Sequence, residues 1–197
     1  MRVTLIPAAG ASSRMRGGDK LLEDVDGKAI LRVLAERAVE ACDLVICTLP
    51  APEHLRAKAL VGLGVLTVFV PNASEGMSMS LKAGVAALPV DATAMMILPA
   101  DMPEITTEDM KIAWEHFETT QPPALQCTTD KGEHGHPIIF ATHQLDQFDK
   151  LSGDRGAFKL LNALGDDLEL FELEGNKARL DLDTPEDWTA WRASRAQ

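Results

Sequence analysis

A short segment near the start of the chain combines small residues with basic ones. Ala8, Ala9 and Gly10 would let the backbone approach a ligand closely, and consecutive amides in such a turn can point at phosphate oxygens. Arg14 and Lys20 follow, where arginine suits two-pronged contact with phosphate oxygens and lysine acts as a point charge. The alternative is an ordinary strand-to-helix turn with solvated basic side chains. We interpret the segment as a loop that binds a polyphosphate.

Three aspartates could supply oxygen ligands to a hard divalent cation. Asp101 comes soon after the apolar run 95–98, where a carboxylate is costly to desolvate without a partner. Mg²⁺ prefers such oxygen ligands together with substrate phosphates. Asp181 and Asp183 alternate on an extended segment, so both carboxylates would lie on the same side. Helix capping is the alternative in each case, before Pro103 for Asp101 and before the Pro185 helix start for Asp181 and Asp183.

Polar residues elsewhere give weaker signals. Ser80 lies at the start of an amphipathic segment, where its hydroxyl or amide would meet the base, ribose or phosphates of a nucleotide. A polar turn at a helix start is the alternative. His134 and His136 alternate in a glycine-bearing turn, but no third nitrogen or sulfur ligand lies near in sequence, which argues against a zinc site.

The composition limits the partners. The 197 residues include 19 Lys and Arg against 30 Asp and Glu, a net charge of -11, which argues against nucleic-acid or anionic-lipid partners. An anionic ligand needs a local positive site, which Arg14, Arg16 and Lys20 would provide with only Asp19 opposing them. No apolar stretch approaches the roughly 20 residues that span a membrane, and no signal-peptide pattern is present. The three cysteines are unpatterned, so we expect reduced thiols in a cytoplasmic protein.

Apolar runs alternate with segments of helical period, which predicts one α/β domain over residues 1–197. Short continuous apolar runs are typical of a mainly parallel sheet with helices on both faces. The predicted strands are 3–6, 44–48, 65–70, 94–98, 125–128, 137–140 and 168–173, and the predicted helices are 30–41, 53–63, 77–88, 108–118, 157–164 and 185–193. Such sheets bind ligands at the carboxyl ends of their strands, where the basic loop and Asp101 would meet.

The motifs resemble those of a known family. Segment 7–22, Pro-Ala-Ala-Gly-Ala-Ser-Ser-Arg-Met-Arg-Gly-Gly-Asp-Lys-Leu-Leu, resembles the signature of the MobA-like NTP transferases, above all the molybdenum cofactor cytidylyltransferases. Five later segments resemble the family's other motifs in the same order: 74–84, 98–103, 135–137, 151–156 and 181–187. Together they span nearly the full chain. The resemblance implies a Rossmann-like nucleotidyltransferase fold.

The resemblance also implies a reaction. An acceptor phosphate would attack the α-phosphorus of an NTP, and pyrophosphate would leave, without any side-chain nucleophile. Catalysis of this kind depends on positioning and charge stabilisation. Arg14 would hold the leaving pyrophosphate and Lys20 the α-phosphate. Mg²⁺ would be the cofactor, bound by Asp101 together with Asp181 or Asp183.

Substrate specificity is implied in the same way. The acceptor would enter beside His136 and Asp154, although a capped helix start is an equal alternative for Asp154. Segment 8–10 resembles the cytidylyl branch, and a methyl group at Ala9 would narrow the base pocket in favour of the pyrimidine of CTP. Segment 17–20 resembles the guanylyl branch instead.

Several functions stay open at this point. Molybdopterin is the acceptor that the resemblance favours, with a molybdoenzyme or chaperone as a further partner. A guanylyltransferase or a sugar-phosphate nucleotidyltransferase of the same fold is the alternative enzyme. A glycosyltransferase would use Asp181 and Asp183 as its metal-binding pair, but would leave Arg14 and Lys20 unexplained. A non-catalytic protein that binds a nucleotide or cofactor would carry the same ligands.

Overall fold

A seven-stranded sheet lies at the centre of the computed structural model, which describes residues 1–153 and 157–195. Two further short strands form a separate hairpin. The strands are β1 (Arg2–Pro7), β2 (Asp24–Val25), β3 (Lys28–Ala29), β4 (Leu44–Leu49), β5 (Leu66–Phe69), β6 (Ala94–Ile97), β7 (Ala124–Thr128), β8 (His134–Ala141) and β9 (Leu168–Glu172). In the sheet they follow the order β5-β4-β1-β6-β8-β7-β9, so each of the seven predicted strands belongs to it.

The sheet is mainly parallel. Strand β1 pairs in parallel with β4 and β6, as do β4 with β5 and β7 with β9. Strand β8 runs antiparallel to both of its neighbours, β6 and β7. Consecutive residues of β1 and β6 are buried, as expected for strands that are covered on both faces. These observations confirm the predicted α/β fold class.

Helices cover both faces of the sheet. They are α1 (Ile30–Ala41), α2 (Leu55–Ala59), α3 (Met77–Ala86), α4 (Thr107–Thr120), α5 (Phe158–Leu164) and α6 (Pro185–Arg195). Helices α1, α4 and α6 pack with Ile6 in one core, whereas α3 and α5 pack with Val3 in the other. Strand β1 contributes to both cores because successive strand residues point to opposite faces. None of the helices in the two described stretches is long and apolar enough to cross a membrane.

Two local features differ from the sequence pattern. Helix α2 is shorter than the predicted helix 53–63: it begins after His54, whose Nδ1 accepts from the Arg56 amide at 3.3 Å. It ends at Ala59, and the chain then turns at Gly62 and Gly64, whose φ angles are 83° and 69°. The β2–β3 hairpin turns at Asp26 and Gly27, whose φ angles of 54° and 85° suit a two-residue type I′ turn. This hairpin was not predicted, although an Asp-Gly pair is a strong signal for one.

The cores bury residues of distinctive chemistry. Trp114, Trp188 and Trp191 are buried in one core, where they serve packing. Cys47 and Cys127 are free and buried there too. Burial raises the pKa of the Cys47 thiol to about 12 and also raises the pKa of the Cys127 thiol. Both cysteines are therefore neutral at physiological pH and are poor nucleophiles or metal ligands.

Candidate active site

A cavity of about 1010 Å³ opens at the carboxyl ends of β1, β4, β5 and β6. Its walls are the loops that follow these strands, the first turn of α3, and one residue of the C-terminal segment. The predicted site residues that line it are Ala9, Gly10, Arg14, Lys20, Ser80, Asp101 and Asp183. The cavity lies at the edge where open α/β sheets bind their ligands, and its size suits a small molecule.

Asp101, Asp181 and Asp183 form one carboxylate cluster. One oxygen of each lies within 4.8 Å of the others. The backbone joins the two segments, because the Leu182 amide donates to the Asp101 carbonyl at 3.0 Å. Oδ1 of Asp101 is buried and has no hydrogen-bond partner among the described residues, whereas buried polar atoms normally have one. These features fit a hard divalent cation, which takes oxygen ligands.

Helix capping does not account for these aspartates. Helix α4 is capped by Thr106, whose hydroxyl accepts from the Asp109 amide at 3.1 Å while the Asp109 carboxylate accepts from the Thr106 amide at 2.9 Å. Thr184 and Asp187 form the same reciprocal pair at the start of α6, at 3.2 Å and 2.8 Å. Each pair is a capping box. The three clustered carboxylates are thus left to other partners.

Lys20 lies within the cluster. Its Nζ donates to Oδ2 of Asp101, and to Oδ1 of Asp183 at 2.6 Å. Burial opposes the charge on Lys20, but Asp101 and Asp183 outweigh it and raise the pKa of the ammonium above its usual value. Lys20 therefore stays charged and neutralises carboxylates at the position where a divalent cation would bind.

The other loop cations also have acidic partners. Arg14 NH1 lies 2.6 Å from Oδ2 of Asp183, and Arg16 NH2 lies 2.8 Å from Oε1 of Glu186. Both arginines are mostly exposed. The expectation that only Asp19 opposes the loop's positive charge is therefore wrong. The opposing carboxylates come from a segment more than 160 residues away in sequence, so the composition of the loop cannot reveal them.

Asp181 and Asp183, the two aspartates of the C-terminal segment, differ in the direction of their pKa shifts and in the cavity that they line. Partial burial and the neighbouring carboxylates of Asp101 and Asp183 raise the pKa of Asp181. Burial opposes the ionisation of Asp183 too, but its contacts with Lys20 and Arg14 lower its pKa. Asp183 also lines the large cavity, whereas Asp181 lines a smaller one beside α6. The cations beside Asp183 thus stabilise its ionised form, and Asp183 is the member of the pair that faces the main cavity.

Arg56 of α2 belongs to the site although the sequence pattern did not single it out. Its side chain is 2% exposed, and NH1 donates to the carbonyls of Ala8 at 2.6 Å and Gly10 at 2.7 Å. Nε and NH2 each donate to the Asp19 carboxylate at 2.7 Å. The Ala8 amide donates to the Thr48 carbonyl at 3.0 Å. Ala8 therefore anchors the loop, and its amide is engaged within the fold rather than turned to a ligand as predicted.

His136 and Asp154 were predicted on the acceptor side of the site. His136 is partly buried on β8 and does not line the main cavity. Burial lowers its pKa to about 4, although the charge of Asp101 opposes this shift. Its imidazole is therefore neutral at physiological pH, so it can form hydrogen bonds but not ion pairs. Asp154 lies outside the described residues.

A family model described as the MobA-like NTP transferase domain matches residues 4–168. This match contains the basic loop, Ser80, Asp101 and His136, and ends before the C-terminal aspartates. No curated protein matches the sequence.

Solved structures share the fold over nearly the whole chain. Rv0371c from Mycobacterium tuberculosis H37Rv, solved as a complex with manganese, is 22% identical with a TM-score of 0.82, covering 98% of each chain. A CMP:2-keto-3-deoxy-manno-octonic acid synthetase complexed with CTP is 18% identical with a TM-score of 0.77, over 100% of this chain and 98% of that one. Molybdopterin-guanine dinucleotide biosynthesis protein A from Archaeoglobus fulgidus is 15% identical with a TM-score of 0.69, over 100% and 99%. Because each of these structures is less than 25% identical to this chain, the similarity establishes a shared fold and no shared activity.

Proposed function

This chain belongs to the MobA-like NTP transferase family, and from that premise we propose that it transfers CMP from CTP to the molybdopterin cofactor, releasing pyrophosphate. The reaction depends on a divalent cation, for which Mg²⁺ is the proposed species. The observation that carries the proposal is the carboxylate cluster of Asp101, Asp181 and Asp183 beside Lys20 and Arg14. A nucleotidyl transfer needs oxygen ligands for a metal and cations for phosphates in one place.

The residues present support a divalent metal. Its ligands would be Asp101 and Asp183, with Asp181 as the third carboxylate of the cluster. When bound, the cation would neutralise phosphate oxygens and polarise the reacting phosphoryl group. The orphaned Oδ1 of Asp101 would gain the partner that it lacks. A manganese complex of the structurally similar Rv0371c is consistent with this reading.

The chain's own groups would handle the phosphates. The Lys20 ammonium, held against Asp101 and Asp183, would contact the α-phosphate next to the metal. Arg14, mostly exposed at the mouth of the cavity, would reach outward to the leaving pyrophosphate. Ala9 and Gly10 would offer backbone amides, and Ser80 its hydroxyl, from the cavity wall. His136 is proposed on the acceptor side as a neutral hydrogen-bonding group, together with Asp154.

CTP is proposed as the donor for two reasons. Segment 8–10 resembles the cytidylyl branch of the family, and Ala9 lines the cavity, where its methyl group would narrow the base pocket in favour of a pyrimidine. The fold is also shared with a synthetase solved in complex with CTP. Molybdopterin is proposed as the acceptor because of the family resemblance, and the fold is shared with a molybdopterin-guanine dinucleotide biosynthesis protein.

A pyrophosphate-release assay tests the proposal. CTP, GTP, ATP and UTP are each combined with molybdopterin or with sugar phosphates, with Mg²⁺ or with a chelator. We expect release with CTP, molybdopterin and Mg²⁺ together. Asp101→Asn should lower the rate by roughly 10³-fold, because a ligand of the metal that stabilises the transition state is lost. Asp166→Asn, at an exposed aspartate outside the site, is the matched control.

Each alternative has its own outcome in this assay. Pyrophosphate release with GTP would identify GTP, not CTP, as the donor, and release with a sugar phosphate would identify that compound, not molybdopterin, as the acceptor. NTP binding without pyrophosphate release under any combination would support a non-catalytic nucleotide-binding protein. An Asp101→Asn variant as active as Asp166→Asn would contradict the metal-site assignment.

A further inference from the structure

Arg56 uses its whole guanidinium to hold the loop after β1. NH1 donates to the carbonyls of Ala8 and Gly10. NH2 donates to the Ser12 hydroxyl at 2.9 Å and to the Asp19 carboxylate at 2.7 Å. Nε donates to the second carboxylate oxygen of Asp19 at 2.7 Å. A guanidinium has five N–H groups, so each one is matched to an acceptor on this single loop.

This arginine is buried rather than solvated. Its side chain is 2% exposed, unlike the largely exposed Arg14 and Arg16. A buried cation is costly unless it is paired and fully hydrogen bonded, and Arg56 meets both conditions. Its charge lies against Asp19, whose pKa it lowers although burial of Asp19 acts in the opposite direction. The pair is therefore an internal crosslink and not a free cation awaiting phosphate.

The contacts of Arg56 fix the direction of the loop's peptide groups. Peptide units are planar and trans, so the N–H of one residue points opposite to the C=O of the residue before it. Because the carbonyls of Ala8 and Gly10 point at Arg56, the amides of Ala9 and Ala11 point away from it. Neither amide donates to any described residue, and both residues line the cavity. The guanidinium thus holds two unused N–H groups on the wall that we assign to phosphate.

We propose that Arg56 is a positioning residue that sets the loop 8–19 in the conformation that binds a polyphosphate. Its contacts join the start of the loop at Ala8 to its end at Asp19, immediately before Lys20. The inference rests on the proposed function in one respect, that the loop receives the phosphates of an NTP. Arg56 also lies in the lining of the cavity, but its N–H groups are all donated to the loop, so it would act through the backbone and through Asp19.

The test compares Arg56→Lys and Arg56→Met with an arginine control. Arg32 also donates to backbone carbonyls at the end of α2, those of Ala59 and Val61, and pairs with Glu36. Arg32 has no contact with the loop, so Arg32→Met removes an arginine that also binds backbone carbonyls and a carboxylate, although its side chain is 31% exposed. Calorimetry measures binding of inorganic tripolyphosphate and of CTP with excess Mg²⁺, and steady-state assays separate kcat from KM. All measurements are made below the melting temperature of each variant.

We expect both Arg56 variants to bind tripolyphosphate and CTP about 10²-fold more weakly, the usual effect of a misplaced binding group. Arg56→Lys should lose nearly as much affinity for tripolyphosphate and CTP as Arg56→Met does, because the lysine ammonium keeps the charge but cannot donate to five acceptors in one plane. Arg32→Met should keep wild-type affinity. A third variant, Arg56→Gly, leaves room for a free guanidinium ion: millimolar guanidinium should restore part of its activity and none of that lost in Asp101→Asn.

Two results would overturn the inference. If Arg56→Lys binds tripolyphosphate like the wild type, charge and not peptide geometry is what matters. If the Arg56 variants melt earlier but keep normal affinity and kcat/KM while folded, the residue is only structural. Failure of the proposed function is distinct, because it would appear as a wild-type protein that binds tripolyphosphate but releases no pyrophosphate from any NTP.

Discussion

Lys20 holds a place that a divalent cation would also occupy. Its ammonium bridges Asp101 and Asp183 in the carboxylate cluster, with its side chain 19% exposed. Removing this ammonium leaves the mostly buried Asp101 without its cationic partner, whereas Asp183 keeps its contact with Arg14. An unsatisfied buried group of this kind costs about 1–3 kcal/mol. A metal ion bound in place of the Lys20 ammonium would restore this stability, because a ligand that binds only the folded state stabilises it.

We therefore predict that Lys20→Met lowers the melting temperature in chelator and gains more stability from Mn²⁺ than the wild type does. Turnover should fall more than folding does, because the α-phosphate loses its cation. Melting curves with and without Mn²⁺ measure the first effect, and pyrophosphate release measures the second. Lys28→Met is the control, since Lys28 makes an exposed ion pair with Glu36 outside the site. If Mn²⁺ raised the melting temperatures of Lys20→Met and the wild type equally, the idea that the Lys20 ammonium and the metal occupy the same position would be contradicted.

Asp19 links the stability of the loop to pH. Burial tends to raise its pKa, but Arg56, the Leu21 amide and Ser12 outweigh this and lower it. A carboxylate with a lowered folded-state pKa contributes stability above its unfolded pKa of about 4 and loses it as the pH falls through the folded value. Asp19→Asn should thus cost about 2 kcal/mol of unfolding free energy at pH 7, and the deficit should shrink below about pH 4.

Urea unfolding from pH 8 to pH 3 checks the Asp19 prediction. Asp26→Asn is the matched control, because Asp26 pairs with Arg195 at the surface and its side chain is 69% exposed. Exposed pairs contribute little to stability, so this variant should follow the wild type at every pH. An Asp19→Asn deficit that is the same at pH 3 and pH 7 would mean that the ionised carboxylate is not what stabilises the loop.

At the scale of elements, a close contact between β8 and the C-terminal segment positions two of the aspartates. A Cβ added to Gly135 would lie 1.9 Å from the carbonyl oxygen of Ala178, which is backbone and cannot turn aside. Ala178 belongs to the 3-10 turn Lys177–Arg179, directly before Asp181 and Asp183. Glycine at this position therefore allows the segment to reach the cavity.

Gly135→Ala is expected to push this turn away and loosen the carboxylate cluster. Overpacking of this kind costs about 1–3 kcal/mol, and Mn²⁺ affinity should fall with it. Gly132→Ala is the control in the preceding turn, where an added Cβ meets nothing but the φ of 75° strains the backbone. Mn²⁺ titration and melting of both variants separate a loss of metal affinity from a general loss of stability. A Gly135→Ala variant that is destabilised but binds Mn²⁺ normally would show that the contact does not position the cluster.

The elements themselves could be predicted from the sequence, whereas contacts between them could not. Apolar runs and helical periods are local patterns, so the seven sheet strands were predicted and α1 was predicted at its observed bounds, Ile30–Ala41. The three aspartates of the carboxylate cluster were singled out because Asp101 follows an apolar strand, Asp181 and Asp183 alternate along an extended segment, and all three lie in family motifs. Arg56 was missed, because its partners lie 37 to 48 residues away and meet it only when β4 pairs with β1. A basic residue in the loop after a neighbouring strand is the one signal that could have indicated it.

At the scale of the whole molecule, charge opposes the binding of a free nucleotide. The chain carries a net charge of -11, and a triphosphate is also strongly negative. The local cations do not reverse this, since Lys20 and Arg14 pair with Asp183 and Arg56 pairs with Asp19. Paired charges attract a distant anion only weakly. A divalent cation adds two positive charges in the carboxylate cluster, so the nucleotide and the metal should bind cooperatively.

Removing divalent cations should therefore raise the Kd for CTP by about 10- to 100-fold, the usual range of coupling between two sites. Linkage requires that CTP tighten Mn²⁺ binding by the same factor, so the two titrations check each other. Calorimetry with a non-hydrolysable CTP analogue in chelator or in Mn²⁺, and with Mn²⁺ in the presence or absence of the same analogue, supplies both numbers for one pair of ligands. Asp101→Asn should reduce the coupling, because the metal then loses a ligand. CTP binding that is equally tight in chelator would mean that Arg14 and Lys20 leave their aspartates for the phosphates without help from a metal.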